Sequence, residues 1–343
     1  MIESSKEKAK KSRVGEKKIT SNSSKNAIYE EKIRPSKLDE IVGRELEKET
    51  LRMMIGSALS RNEVVDHILF YGPPGLGKTT FAMAIANEIG SSIKITSGPA
   101  VERQGDLAAI LTGLKKNDIL FIDEIHRLPK IVEEILYPAM EDGMLDIVMG
   151  KGPSAKTIRL SLEPFTLIGA TTQVGKISSP MRDRFGLIQR LDFFSETDLV
   201  EILRRASRLW NIEVEEDALI LLSSTSRGTA RVGLRLFRRC RDYAESKKIA
   251  KIDEKVVRNT MKMLGVDDQG LEGIDRTILH TMLNNFAGGP IGLSTLAASV
   301  SEDESTLADV HEPYLMKSGY IKRTSRGRVL TPKALKYLES LDD

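Results

Sequence analysis

Gly72-Pro73-Pro74-Gly75-Leu76-Gly77-Lys78-Thr79 satisfies the pattern G-x-x-x-x-G-K-[ST] at every fixed position and constrains the chain more than any other stretch. Just before it, His67-Ile68-Leu69-Phe70-Tyr71 reads as a short buried strand. Just after it, residues 79–88 read as a helix, with Phe81, Met83, Ile85, Ala86 and Ile89 apolar and Gly90 as a stop signal. Strand, glycine-rich turn and helix, in that order, are the setting in which this motif cradles phosphate. Glycines such as Gly75 and Gly77 let backbone N–H groups curl around phosphate oxygens, and the helix N-terminus adds its dipole. The ammonium of Lys78 suits the β- and γ-phosphates of ATP, and the hydroxyl of Thr79 suits Mg²⁺. An ordinary glycine-rich turn would not need that flanking pattern.

Further along, Ile119-Leu120-Phe121-Ile122-Asp123-Glu124 is a continuous apolar run ending in two carboxylates. Such a run is typical of a central parallel strand covered on both faces. Asp123 at its C-terminal edge is suited to hold Mg²⁺ through water. Glu124 is suited to orient and polarise an attacking water, which hydrolysis requires and nucleotide sensing alone does not. The alternative for Glu124 is a solvated acid at a helix start.

The 343 residues suggest two or three domains. No apolar run approaches membrane-spanning length, and the start of the chain has no signal-peptide core, so the expected location is cytoplasmic, without membrane contact. Cys240 is the single cysteine, which excludes an internal disulfide and fits a reducing compartment. It has no His partner nearby in sequence and sits in a helical, arginine-rich stretch, so it reads as an inert thiol. Residues 1–30 carry seven Lys and one Arg against four Glu, or +4, and the whole chain is +3, so the remainder sums to −1. Nucleic-acid binding therefore has to be argued from local patches, not from overall charge. The leader is rich in Ser and Lys and poor in bulky apolar residues, which predicts disorder.

Strands and helices alternate from about residue 33 to 194, with strands expected over 67–71, 92–96, 119–123, 165–170 and 188–192. Helical periodicity then runs to residue 264, with helices expected over 198–210, 217–224, 230–246 and 253–263. The last unit reads as helices over 274–286, 292–300 and 305–318, then a hairpin around Thr324-Ser325-Arg326-Gly327, which is a winged-helix pattern. The fold class is thus α/β: a P-loop NTPase domain with a parallel sheet over 31–195, an all-α lid over 196–267 and a winged helix over 268–343, preceded by the leader.

With these motifs in place, the chain is similar to AAA+ ATPases, through the order phosphate loop, Asp-Glu strand, Gly169-Ala170-Thr171-Thr172, Arg182-Asp183-Arg184-Phe185-Gly186 and Gly228-Thr229-Ala230-Arg231. The finer text, in particular Phe121 to Leu128, Leu136 to Asp142, Gly105 to Thr112 and the wing Arg323 to Arg328, resembles the RuvB family of bacterial Holliday-junction branch-migration motors. The resemblance spans about residues 31 to 332. It implies an ATPase working as a hexameric ring on double-stranded DNA with the junction-binding protein RuvA, and with RuvC in a junction-resolving complex. It places Ile33 and Arg34 near the adenine, behind Pro35. It makes Thr171 a sensor of the γ-phosphate, Arg231 a second sensor reaching in from the lid, and Arg184 an arginine finger acting on a neighbour's nucleotide. Thr80, Glu141, Asp142, Gly143 and Phe194 match nucleotide-proximal positions. Gly143 stands where an aromatic is usual, so contact there must come from backbone. Three further departures are Arg44 for Gln, Ala230 for Pro and Gln173 for Arg.

Residues 144–149 and 157–160 flank a turn and read as a protruding apolar hairpin, the element that docks RuvA in the family; the other reading is a core strand pair. His126 lacks a second His or Cys at ligand spacing, so it reads as a hydrogen-bonding residue. Arg235, Arg238, Arg239 and Arg241 form a solvated helix face or a subunit interface. On the winged helix, the expected recognition helix carries Glu304, Asp309 and Glu312, which DNA phosphates repel. The wing carries Lys322, Arg323, Arg326 and Arg328 without an acid among them. DNA contact through Arg323, Arg326 and Arg328 would fall on the backbone and read little sequence. The alternatives are an AAA+ winged-helix replication initiator, which would read a defined DNA sequence, and a protein-remodelling machine. The latter needs an aromatic pore loop, and residues 97–107 supply no aromatic.

Overall fold

The computed structural model describes residues 33–149 and 156–342; the expected leader and the turn of the 144–160 hairpin lie outside them. Seven strands belong to the first domain: β1 Ile68–Tyr71, β2 Ile93–Ser97, β3 Ile119–Asp123, β4 Met144–Met149, β5 Lys156–Ser161, β6 Thr166–Thr171 and β7 Leu187–Arg190. Five form a parallel sheet in the order β2-β3-β6-β1-β7, which puts the strand feeding the phosphate loop between β6 and β7. Ile68, Phe70, Phe121 and Ile168 face one core, and Leu69, Leu120, Ile122 and Leu167 face the other. Both faces are therefore covered, as the unbroken apolar run of β3 requires. The carboxyl ends of β1, β3 and β6 carry Tyr71, Asp123 and Thr171 at one edge of the sheet, where α/β folds gather their chemistry.

β4 and β5 pair antiparallel and separately from the main sheet. The hairpin is only partly the exposed element expected from sequence. Leu145 is fully buried in the core beside Leu162 and Phe165, with its cross-strand partner Leu160 packed against it. On the opposite face Asp146 and Arg159 form a bidentate ion pair at 2.8 and 3.0 Å. Further out, Ile158 is 42% exposed. Core strand pair and protruding hairpin thus describe two ends of one element.

The lid has helices Glu196–Trp210, Glu216–Thr225, Ala230–Lys247 and Glu254–Leu264 around Leu203, Leu222, Phe237 and the buried Cys240. Ser195 and Thr229 cap the first and third of these, accepting from Asp198 N and Val232 N. Ala230 is the first helical residue after Thr229, a position that accepts Pro or Ala equally, so this departure from the family leaves the helix start intact.

The last domain has helices Gly273–Phe286 and Leu293–Ser299, a bent recognition helix, the wing strands Ile321–Thr324 and Gly327–Leu330, and a closing helix Pro332–Asp342. The recognition helix is not one regular α-helix: Leu307–His311 is a π turn between Glu304–Thr306 and Glu312–Lys317. Pro313 explains the break, since it donates no N–H and its ring clashes with the carbonyl four residues back. The closing helix was not anticipated, although Thr331-Pro332 signals a helix start and the Thr331 hydroxyl accepts from Ala334 N at 3.3 Å.

Candidate active site

The phosphate loop turns at glycines that no other residue could replace. Gly72 has φ +141°, and a side chain there would lie 2.3 Å from the Leu191 carbonyl oxygen. Gly75, at φ +80°, would bring a Cβ to 2.9 Å from that of Arg231, so the lid helix rests directly on the loop. The helix Lys78–Ile89 opens at Gly77, directing its first N–H groups into the turn. Lys78 is 8% exposed and donates to the carbonyls of Gly72 at 2.7 Å and Pro73 at 2.8 Å. Burial pushes its ammonium down to about 8, opposed by Asp123 and reinforced by the positive charges of Arg231 and Arg44. A buried cation beside two other cations, answered by one carboxylate, is a site built for a polyanion.

A cavity of about 560 Å³ between sheet domain and lid is lined by Ile33, Arg34, Gly75, Gly77, Lys78, Thr79, Thr80, Asp123, Glu124, Phe194 and Arg231, all of them expected at the nucleotide. Arg235 and Arg238, read from sequence as a solvated or interface face, line the same cavity beside Arg231. Glu124 has the left-handed conformation φ 47°, ψ 43°, rare for a residue with a side chain and concentrated at functional sites. Its N–H donates to Asp123 Oδ1 at 2.9 Å, and its own carboxylate pairs with Arg127 at 2.9 Å. For a small hard cation the donor set fits: one carboxylate at Asp123, one hydroxyl at Thr79, and room for substrate oxygens. Among the described residues no cluster of three His, Cys, Asp or Glu forms a cage of its own.

Thr171 is placed differently from the expectation. It is 1% exposed, its hydroxyl accepts from Gln173 N at 2.9 Å, and it shares a hydrogen bond with His126 Nδ1 at 2.9 Å. His126 is thus the hydrogen-bonding histidine expected, with burial lowering its basicity. The cavity wall at this point is Thr172, one residue on and on the opposite side of the strand end.

Glu141, Asp142, Gly143 and Arg184 are not at this cavity. Asp142, Gly143 and Arg184 line a second one of about 610 Å³, and Arg184 is held there by Glu141 at 2.6 Å, by the Pro180 carbonyl at 2.7 Å and over the Tyr137 ring at 4.8 Å. Arg184 Nε is buried without a partner. Gly143 sits at φ +63°, a conformation that glycine adopts without strain.

Arg44 is a residue whose role was missed. Its side chain is 6% exposed, stacks 4.3 Å over the Phe194 ring and donates to the Asp192 carbonyl at 2.5 Å. It pins the cavity residue Phe194 and adds to the charge felt by Lys78. Arg205 and Glu40 join lid and sheet domain across the same cleft at 2.7 Å.

The wing also differs from expectation. Arg326 is exposed at its tip, but Arg323 and Arg328 both bind the carboxylate of Glu312, which is 2% exposed. Asp309 receives a hydrogen bond from Gln173 of the sheet domain at 2.6 Å. Asp309 and Glu312 are therefore engaged internally while Glu304 stays exposed, and the helix is docked on the motor domain.

Three family models cover the described chain: the Holliday junction DNA helicase RuvB P-loop domain over residues 33–191, the RuvB AAA lid domain over 194–267 and the RuvB C-terminal winged helix domain over 268–339. Two curated relatives are the Holliday junction branch migration complex subunit RuvB of Fusobacterium nucleatum, 53% identical over 90% of this chain and 93% of its own, and that of Lawsonia intracellularis, 51% identical over 92% and 93%. The solved structure of the Thermotoga maritima RuvB Holliday junction branch migration motor superposes with a TM-score of 0.82 at 46% identity, covering 90% of this chain and 98% of that one.

Proposed function

We propose, from the premise that this chain belongs to the RuvB family, that it is an ATP-driven motor that moves the branch point of four-way DNA junctions. The observation that carries this reading is the convergence of the phosphate loop, the Asp123-Glu124 pair and the lid's Arg231 on one cleft between two domains. A cleft closed by a lid can change shape with the nucleotide it holds, and a winged helix docked on both domains can follow that change.

In the proposed reaction, loop N–H groups and Lys78 hold the β- and γ-phosphates of ATP. Thr79 and Asp123 hold Mg²⁺, which when bound supplies charge neutralisation at the phosphate oxygens. Glu124, released from Arg127, orients the water that attacks the γ-phosphorus. Thr172 rather than Thr171 reaches the γ-phosphate. Arg231 meets the developing charge from the same chain. Arg184, with Glu141 and Asp142 beside it, faces a different cavity, which suits action on the nucleotide of the next subunit in a hexameric ring.

The partners follow from the same premise: duplex DNA at a Holliday junction, RuvA against the exposed part of the β4–β5 hairpin, and RuvC in a resolving complex. Among the described residues no helix is long and apolar enough to cross a membrane, and a cytoplasmic location fits this chemistry. Against a sequence-reading initiator stands the recognition helix, whose buried His311 and Glu312 and docked Asp309 are not free to read a major groove. The test is ATP turnover and movement of a synthetic four-way junction, with and without duplex DNA and RuvA. Stimulation by both, independent of DNA sequence, is expected; stimulation by one defined sequence would favour the initiator.

A further inference from the structure

Arg323 and Arg328 stand directly opposite each other on the two wing strands. Two like charges in that register repel, and a bare pair would destabilise the hairpin. The repulsion is answered from another element. Glu312, in the helix that precedes the wing, places its carboxylate between them. Arg323 Nε and Nη2 donate to it at 3.3 and 2.9 Å, and Arg328 Nε and Nη2 at 2.9 and 3.1 Å. Both guanidinium groups thus present the same edge to one carboxylate, the geometry that fixes a planar fork most firmly.

The three side chains differ sharply in exposure: 3% for Glu312, 13% for Arg328 and 55% for Arg323. Arg328 is therefore part of the scaffold, and Arg323 is the member that solvent, or a phosphate, can reach. Burial works to raise the Glu312 carboxyl, and the two arginines outweigh it and keep it ionised. Its Nε and Nη2 engaged, Arg323 still has its Nη1 donors for a ligand.

We propose that Glu312 is a positioning residue for DNA: it holds Arg323 in a fixed orientation in which its remaining N–H groups meet a backbone phosphate. Glu312 does not touch DNA itself. A free arginine loses rotamer freedom when it binds, whereas a clamped one has lost most of it beforehand. Arg328 completes the clamp. This proposal rests on the reading of the wing as the DNA-contacting element.

The sign of one substitution separates positioning from plain electrostatics. Removing a carboxylate from a DNA-facing domain should strengthen binding if charge alone mattered. The clamp predicts the reverse. The amide of Glu312→Gln keeps one acceptor oxygen but turns its N–H groups toward one donor of each arginine, so both forks are broken and Arg323 swings free. Glu312→Asp keeps the charge but is one methylene too short to span both arginines.

The experiment measures binding of the full chain to a fluorescent duplex of arbitrary sequence across a range of salt concentrations. Glu312→Gln and Glu312→Asp should each weaken binding by about an order of magnitude at moderate salt and lower the log–log salt slope by about one, the mark of one lost phosphate contact. Arg323→Ala should do the same, and adding Glu312→Gln to Arg323→Ala should cost nothing more. Thermal melting of each variant shows whether the domain is folded. A folded Glu312→Gln that binds as well as or better than the parent overturns the proposal. So does a further loss of binding in the double variant, which would mark Glu312 as a general support of the domain. If Arg323→Ala and Arg326→Ala both leave binding intact, the wing reading itself falls, an outcome distinct from the failure of the clamp.

Discussion

Lys78 carries the most testable chemistry at the level of single residues. Its ammonium is pushed down to about 8 by burial, ahead of the repulsion from Arg231 and Arg44. A phosphate chain placed against it favours the charged form again, so above about pH 8 ATP binding should take up a proton. Calorimetry in two buffers of different ionisation heat should show that uptake and an ATP affinity that falls as pH rises through this value. An affinity flat with pH, without proton uptake, would mean that Lys78 does not meet the phosphates. The sign for folding is separate: a depressed lysine leaves the unfolded chain binding more protons, so this group adds stability as pH rises from about 8 toward its ordinary 10.5. Glu124→Gln should bind ATP and hydrolyse it poorly, because the amide keeps the shape but loses the charge that polarises water. Failure to bind nucleotide would instead make Glu124 a structural residue, as its pairing with Arg127 permits. Much of this site is legible in the sequence because the phosphate loop and the Asp-Glu pair are contiguous and their chemistry is local. Thr172 was not legible: which of two adjacent threonines faces the cleft depends on the parity of β6 at its last residue, and only the partners His126 and Gln173 settle it for Thr171.

Among elements, the β4–β5 hairpin and the docked winged helix give opposite lessons. Leu145 is fully buried, so Leu145→Ser should destabilise the sheet domain by about 3–5 kcal/mol, read by thermal melting, whatever its effect on partners. Ile158 is 42% exposed on the same hairpin, so Ile158→Ser should melt like the parent while losing stimulation by RuvA. Equal loss of stability in the two variants would contradict this division. The winged helix is held to the lid by Arg227, 6% exposed, which donates to the fully buried Asp275 at 3.1 Å; His311 contacts the same carboxylate oxygen at 3.0 Å. Burial works to raise the Asp275 carboxyl, but these partners hold it below its ordinary value. Asp275→Asn leaves Arg227 buried with only the distant Glu272 opposite, and should cost about 3 kcal/mol in the unfolding of the full chain. Sequence periodicity located these helices well, since each has an apolar stripe. It could not find the ion pairs joining them, because Arg227, Asp275 and His311 are far apart along the chain and arginine and aspartate are ordinarily exposed. The π turn before Pro313 and the helix after Thr331 are different cases: both had local signals in a proline.

At the scale of the whole molecule, the sheet domain and the lid form one cleft, yet the residues the family associates with nucleotide divide between two cavities. Lys78, Asp123, Glu124 and Arg231 share the first, while Arg184, Asp142 and Gly143 share the second. On the proposed reading a single chain carries one half of each of two composite sites, and neighbouring chains complete them. Arg184→Ala should bind ATP yet turn it over slower by about 10³–10⁵, the range of arginine fingers. The most direct test mixes this variant with Lys78→Ala, each inactive alone, and measures ATP hydrolysis on duplex DNA. In hybrid rings some sites pair an intact Lys78 with an intact Arg184 from the adjacent chain, so the mixture should regain a fraction of the parental rate. If hybrid rings form, as native mass spectrometry would show, and the mixture remains as inactive as either variant alone, Arg184 does not act across the subunit boundary and the shared site is refuted.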